Sequence, residues 1–122
     1  MKTEEFFKFF EELHETEKKI MIEKGHDYTR GDEDKLANFK RTAKECGITP
    51  LQVWFVFVHK HWDSICTYIQ KGCVSSEPIE GRFNDIRNYM ALGLAIIKEQ
   101  LDKDQTTSYL LDRTTGEKRQ LS

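Results

Sequence analysis

The sequence has few of the residues that mark secreted, disulfide-rich or zinc-binding proteins. Its 122 residues include three cysteines and two prolines. The cysteines are Cys46, Cys66 and Cys73, and no two of them form a C-x-x-C pair. An odd count at such spacings argues against a disulfide framework and against a thiolate zinc site. It favours reduced thiols in a cytosolic protein.

Membrane and secretion signals are also missing. The longest apolar run, residues 53–58, is followed by His59-Lys60-His61 and is too short to span a bilayer. The first residues lack the cationic, apolar and small-residue order of a signal peptide. We therefore expect a protein of the cytoplasm that has no membrane partner.

Charge of one sign is not in excess. The formal net charge is −2, with 33% charged and 38% hydrophobic residues, which is typical of a soluble globular domain. The balance argues against a broad nucleic-acid surface. The length predicts one domain with its own hydrophobic core. A phosphate-cradling glycine loop, an H-E-x-x-H motif and a nucleophile elbow are absent, so we assign no catalytic residue.

Hydrophobic periodicity predicts an all-α domain, a four-helix bundle over residues 1–104. Thr49, Pro50 and Gln52 form a capping box with proline at the first helical position. Gly25, Gly47 and Gly72 follow the first three helices as C-caps. The predicted helices cover residues 3–24, 33–46, 50–71 and 76–103.

The composition changes in the C-terminal tail, residues 105–122. Residues 106–112 could form a short strand, and residues 113–116 read as a turn. Residues 117–121 could then pair back as a short β-hairpin. Because an isolated hairpin is marginally stable, we expect the tail to be frayed or docked on a neighbouring subunit.

Two polar residues interrupt the apolar third helix. His61 lies on the same stripe as Trp54, and Lys60 continues the stripe of Phe57. A functional interpretation is an anion-binding lysine beside a histidine that hydrogen-bonds a ligand. The ordinary interpretation is a lysine that extends to solvent and a histidine with a partner in the core.

Four polar residues share one face of the fourth helix. Arg82, Asp85, Asn88 and Tyr89 fall at i, i+3, i+6 and i+7. They could bind a phosphorylated ligand, with Arg82 on a phosphate and Tyr89 stacked on a base. The alternative is a solvated helix face with an Arg82/Asp85 ion pair.

Residues before the third helix could close this pocket. Asp27 and Tyr28 lie in a predicted loop, residues 25–32, and Asn38 lies on the second helix. Loops on a helical scaffold often carry function. Ordinary turn chemistry explains Asp27 equally well.

Acidic residues near the start of the fourth helix offer an alternative metal site. Glu77, Glu80 and Asp85 could bind Mg²⁺ together with acids from another helix. A chain with 21 acidic residues contains such spacings by chance. A solvated face is therefore the simpler explanation.

Five short segments carry further motifs, in chain order. They are Lys24-Gly25-His26-Asp27-Tyr28, Asn38-Phe39, Lys60-His61-Trp62-Asp63-Ser64-Ile65, residues 76–82 and residues 85–89. Together they resemble a family of small phage proteins called the nucleotide-modification-associated domain. The resemblance covers about residues 20 to 100 and implies a helical, oligomeric protein of the host cytoplasm with a nucleotide pocket. The helix pattern is similar to that of MazG-type nucleotide pyrophosphohydrolases.

One departure from the pyrophosphohydrolases bears on function. Gly81 and Asn84 stand near positions where metal-binding acids are expected, while Lys60, His61 and Arg82 make the expected pocket cationic. A metal-dependent hydrolase needs clustered acids to hold the ion that activates water. We therefore expect binding of a phosphorylated nucleotide, linear or cyclic, without turnover, as in sequestration of a host-defence signal. The alternatives are a Mg²⁺-dependent pyrophosphohydrolase and a structural helical assembly protein.

Overall fold

The computed structural model describes residues 1–75 and 77–115, and of His26 and residues 105–115 it describes the backbone only. Within these residues the chain forms four α-helices and no strand, which confirms the all-α, bundle-like prediction. The helices are α1 (Thr3–Thr29), α2 (Ala37–Cys46), α3 (Pro50–Lys71) and α4 (Ile79–Thr115).

The start and end signals of α3 act as the sequence predicts. The Gln52 amide N–H donates to the Thr49 hydroxyl at 3.1 Å, and the Gln52 side chain accepts from the Thr49 N–H at 2.9 Å. Gly72 ends the helix with φ 76°, and Gly47 ends α2 with φ 68°. These features involve neighbouring residues only, so local chemistry is enough to fix them.

The first helix is longer than predicted, and the second is shorter. Gly25 does not end α1, which continues to Thr29 and is capped by Arg30 in the left-handed region, at φ 53°. Asp27 and Tyr28 therefore stand on a helix and not in a loop. The second helix begins at Ala37 instead of residue 33.

Gly25 has a packing role instead of a capping role. The Lys35 side chain crosses α1 at this point, and its ammonium donates to the Met21 carbonyl at 3.2 Å. A Cβ on Gly25 would collide with the Lys35 Nζ. The missing side chain thus leaves room for the Lys35 ammonium group over α1.

The fourth helix overturns the predicted β-hairpin. It runs to Thr115, so residues 106–112 are helical and not a strand, and residues 113–115 are helical and not a turn. Neither glycine nor proline occurs between Gly93 and Gly116, and threonine lowers helix propensity only slightly. Gly116 and the return strand, residues 117–121, lie outside the described residues.

The core forms where α2 and α4 meet α3. The helices α3 and α4 lie side by side and antiparallel, since Trp54 contacts Tyr89 and Gly93 while His61 contacts Arg82. The helix α2 packs on α3, and α1 contacts α4 and α2. The main core cluster consists of Leu36, Phe39, Ala43, Val53 and Ile96, and Val58 and Ile65 of α3 are also buried.

Large apolar side chains remain exposed on three helices. On α1, Phe6, Phe7, Phe9 and Phe10 are each at least 43% exposed. Further exposed residues lie on α3 and α4. In the described part of the chain, no helix is both long enough and apolar enough to cross a bilayer.

Candidate functional site

All four helices, with the segment that precedes α2, border a cavity of about 90 Å³. The space corresponds to roughly six water-sized volumes and is smaller than the cavity of about 150 Å³ that takes up a benzene ring. Its apolar walls are Ile20, Met21, Phe39 and Leu92. The polar and aromatic lining residues come from α1, α2, α3 and α4 together.

Six of the nine predicted ligand-binding residues line this cavity. They are Tyr28, Asn38, His61, Asp85, Asn88 and Tyr89. The three on α4 are brought there by their spacing, which places Asp85, Asn88 and Tyr89 on adjacent turns of one face. The longer α1 brings Tyr28 from the opposite side.

The structure does not bring Asp27, Lys60 and Arg82 to the cavity lining. Asp27 and Lys60 are exposed. Arg82 is 15% exposed and lies behind His61, where its Nε is 2.9 Å from the Glu77 carboxylate. Lys60 and Arg82 therefore lie outside the cavity lining, and their phosphate contacts stay predictions.

His61 joins the cavity to the Arg82/Glu77 pair. Its Nδ1 lies 3.2 Å from the Arg82 Nη1. A guanidinium only donates hydrogen bonds, so Nδ1 accepts and the imidazole is neutral, with its proton on Nε2. Burial lowers the pKa of His61; the Asp85 carboxylate opposes this, and the charge of Arg82 adds to it. The separation of His61 Nδ1 and Asp85 Oδ2, 3.6 Å, is too long for a hydrogen bond.

Charge at the cavity is slightly positive. Lys24 and Lys35 line it with one carboxylate, that of Asp85. The Lys24 Nζ lies 3.6 Å from Asp85 Oδ1, and the lysine side chain is 54% exposed. Because Lys24 and Lys35 are exposed, their ammonium groups can reach a ligand that extends toward solvent.

Inside the cavity, carboxamide and phenol groups provide hydrogen-bonding capacity. The Asn88 amide donates to the Glu17 carbonyl at 3.3 Å, which fixes the side chain between α1 and α4. Neither the Asn38 carboxamide nor the Tyr89 hydroxyl is hydrogen-bonded to another described residue. Burial raises the pKa of Tyr89, and the nearby Tyr28 and Asp85 raise it further, so the phenol stays a donor.

Aromatic rings supply a stacking surface beside these groups. The His61 and Tyr89 rings have centroids 5.2 Å apart with an interplanar angle of 34°. Phe39 meets Tyr89 edge to face, at 6.4 Å. These packed rings hold the Tyr89 side chain in place without help from a ligand.

Sequence reasoning missed the lysines at the cavity. Lys24 appears in the motif that resembles the phage family, but no role was assigned to it, and Lys35 carried no signal. Both are placed by contacts between distant segments: Lys24 with Asp85, and Lys35 with Met21. Periodicity along one helix contains no information about such contacts.

The alternative metal site is not assembled. Among the described residues, no group of three or more His, Cys, Asp or Glu side chains is placed to hold a metal ion. Glu77 pairs with Arg82, while Asp85 faces Lys24 and His61. Glu80 is exposed. Glu77 and Asp85 thus contact different partners, and the three proposed ligands do not converge.

Comparisons of the chain with protein-family models, with curated proteins and with solved structures found no match. The resemblance to the phage domain family therefore stays a prediction based on motifs.

Proposed function

We propose that this protein binds a phosphorylated nucleotide without turning it over, with the edge of the base in the cavity and the phosphates at its mouth. The observation that carries the proposal is the division of the cavity lining. The buried or half-buried side chains of Asn38, Phe39, Asn88 and Tyr89 lie inside, and two exposed lysines lie at the edge. A small apolar pocket with a few converging polar groups is the usual form of a small-molecule site.

The inner part suits a nucleobase. A base presents flat faces and an edge of donors and acceptors, and Tyr89 with His61 offers ring surface for the faces. The Asn38 carboxamide can both donate and accept, so it can pair with the edge of a base. Its freedom from other described residues means that a ligand gains this interaction without breaking one in the protein.

The outer part suits phosphate. Lysine binds phosphate as a compact point charge. The lining contains two lysines and one carboxylate, so its formal charge is +1. Asp85 already faces Lys24, so Lys35 is the cation with the weaker existing partner, a single carbonyl. A phosphorylated ligand is thus preferred over a free nucleoside.

The wider setting of the proposal depends on the resemblance alone. We place the protein in the cytoplasm of a phage-infected cell, as a homo-oligomer that sequesters a nucleotide signal of host defence. A cyclic nucleotide is the ligand class that this setting favours. The cavity by itself suits a flat ring that inserts one edge and carries a phosphate.

The test begins with the intact protein. A native mass spectrum of purified protein, before and after incubation with nucleoside mono-, di- and triphosphates and cyclic nucleotides, measures the bound mass. Incubation with and without Mg²⁺, followed by chromatography, shows whether the nucleotide is recovered intact. Intact bound ligand supports the proposal. Hydrolysis would favour the pyrophosphohydrolase, and absence of any binding would favour a purely structural protein.

A single substitution then locates the site. Asn38→Ala removes a carboxamide that no other described residue uses, so we expect about tenfold weaker nucleotide binding and unchanged thermal stability. Gln100→Ala is the matched control, because Gln100 is an exposed carboxamide on α4 that does not line the cavity. Equal affinities of the two variants would remove Asn38 from the site.

A further inference from the structure

One ring nitrogen of His61 lies between two groups that require opposite states of protonation. The Arg82 Nη1 is 3.2 Å from Nδ1, and the Asp85 Oδ2 is 3.6 Å from the same atom. The guanidinium can only donate, so it requires Nδ1 without a proton, whereas the carboxylate can only accept and requires Nδ1 with one. A neutral imidazole has a single ring proton. The position of that proton therefore depends on which neighbour makes the hydrogen bond.

The distances favour the arginine. The Arg82 contact is within hydrogen-bonding range, and the Asp85 contact is outside it. Each competing group also has a partner of its own. The Arg82 Nε lies 2.9 Å from the Glu77 carboxylate, and Asp85 faces the Lys24 ammonium at 3.6 Å. His61 therefore keeps its proton on Nε2.

This arrangement is largely shielded from water. The side chains of His61, Arg82 and Asp85 are 14%, 15% and 19% exposed. Burial is the main cause of the lowered pKa of His61, so the ring is neutral at neutral pH. A neutral imidazole held in one tautomer has a fixed donor and a fixed acceptor. A carboxamide such as that of Asn38, by contrast, offers both an N–H donor and a carbonyl acceptor to a ligand.

The second ring nitrogen of His61 is the one that a ligand can use. His61 lines the cavity and Arg82 does not, so the Nδ1 edge of the ring is turned away from the lining. Tyr89 packs on the ring, with centroids 5.2 Å apart. The remaining edge contains Nε2, which forms no hydrogen bond with any residue that the structure describes. The wall of the cavity thus includes one N–H donor whose direction is fixed.

We propose that Arg82 is a positioning residue that fixes His61 as a donor, and that this donor selects nucleotides whose base inserts a carbonyl oxygen. The inference rests on the proposed function and adds the class of base to it. A carbonyl oxygen accepts the Nε2–H. An exocyclic amino group would instead place a second donor against it, and both N–H groups would lose water without gaining a partner.

The rest of the lining agrees with this preference. Lys24 and Lys35 can only donate, and the raised pKa of Tyr89 keeps its phenol protonated and able to donate. The one carboxylate in the lining, that of Asp85, already faces Lys24. Asn38 can supply either a donor or an acceptor. A base rich in carbonyl groups therefore satisfies more of these side chains than a base rich in amino groups.

The experiment compares matched nucleotides on the full chain. Uridine and cytidine monophosphates form one pair, and inosine and adenosine monophosphates form the other. Within each pair a base carbonyl is exchanged for an amino group, together with the ring proton that accompanies the exchange. Isothermal titration at about pH 8, where a histidine of lowered pKa is neutral, measures the dissociation constants. For a pair that binds, the wild type should prefer the carbonyl member at least about tenfold.

Arg82→Met tests the positioning role. The variant removes the donor and leaves the Asp85 carboxylate beside Nδ1, so the proton should move to Nδ1 and Nε2 should become an acceptor. The preference for the carbonyl member should then fall to about onefold or reverse. Structural damage alone would weaken both members together. Arg87→Met is the matched control, because it removes another arginine–glutamate pair of α4 outside the lining, and it should keep the wild-type preference.

Nitrogen NMR of the histidine rings measures the tautomer directly, without ligand. The wild type should show the His61 proton on Nε2, and Arg82→Met should show it on Nδ1. The wild-type spectrum and the wild-type nucleotide pairs decide the matter even if Arg82→Met does not fold. A wild-type proton on Nδ1, equal affinities within a pair that binds, or an unchanged preference in folded Arg82→Met would overturn the inference and leave the proposed function standing. Failure of all four nucleotides to bind would reject the proposed function, and the inferred base selection with it.

Discussion

The Trp54 indole lies directly against the backbone of Gly93, and this contact sets the distance between α3 and α4. A Cβ on Gly93 would lie 2.5 to 2.7 Å from three atoms of the indole ring. The ring is also held by its Nε1, which donates to the Tyr89 carbonyl at 2.5 Å. The same contact positions Tyr89 beside the cavity, so helix packing and the candidate site share one support.

Gly93→Ala should destabilise the protein, although alanine is the better helix former. The substitution gains about 1 kcal/mol of helix propensity. It also forces a methyl group into a rigid ring, at a cost of about 1–3 kcal/mol or more. We expect a net loss of about 1 kcal/mol or more in the free energy of unfolding, measured by urea denaturation.

The control for this prediction is Gly81→Ala in the same helix. A Cβ there would meet only Glu77, at an ordinary contact distance of 3.5 Å. The free energy of unfolding of this variant should be unchanged or slightly higher. A Gly93→Ala protein as stable as Gly81→Ala would show that Trp54 moves aside freely.

Arg87→Met should leave a buried carboxylate without its partner. The Glu17 side chain is 7% exposed and lies 2.8 Å from the Arg87 Nε. Removing one member of a largely buried pair is costly, and because Arg87 is 33% exposed we expect a loss of about 2–3 kcal/mol at pH 7.5. Burial raises the pKa of Glu17, so the carboxyl takes up a proton and the loss should shrink at pH 5.

The pH dependence distinguishes this pair from a surface contact. Lys98→Met removes a pair with Asp102 in which the side chains are 76% and 61% exposed. Its effect should stay within about 0.5 kcal/mol at both pH values. If the Arg87→Met penalty were the same at pH 5 and pH 7.5, Glu17 would not be its cause.

Lys35→Ala and Lys60→Ala should differ in nucleotide affinity. Lys35 lines the cavity, and Lys60 is exposed outside it. Loss of one phosphate contact should weaken binding about tenfold, or about 1.4 kcal/mol, whereas loss of a remote surface charge should change it less than about twofold. Isothermal titration at two salt concentrations measures both effects. The reverse order would restore the phosphate role predicted for Lys60 from the sequence.

His61 should make the folded protein less stable in mild acid. Its folded-state pKa is lowered from 6.5, chiefly by burial. The unfolded chain then binds this proton more readily than the folded protein, so acidification below about pH 6.5 favours unfolding. A comparison of urea unfolding at pH 7.5 and pH 5.5 should show a larger loss for wild type than for His61→Gln. Parallel losses would assign the pH dependence to other groups.

The candidate site was predictable only in part. Asp85, Asn88 and Tyr89 could be grouped because they follow one another at helical spacing on α4. Arg82 satisfied the same spacing, but it pairs with Glu77 and lies behind His61. Spacing identifies which residues share a face. It does not show where along the helix the neighbouring elements leave a cavity.

The sequence alone determined the all-α class and the boundaries that depend on neighbouring residues. The capping box at Thr49 and the left-handed glycines Gly47 and Gly72 act within one turn of the chain. The helix ends that they set therefore do not depend on contacts with distant residues. The apolar residues of α3 and α4 recur at helical spacing in the sequence, and both segments are helices in the folded protein.

Only the tertiary structure decided what two other glycines do and which cations reach the cavity. Gly25 and Gly93 resemble helix-ending or tolerated glycines in sequence, yet each makes room for a side chain from another segment, Lys35 and Trp54 respectively. Lys24 reaches the cavity in the same way, through a partner far along the chain. Such contacts arise when separate helices pack, and the periodicity of one helix cannot specify which residue of another will face it.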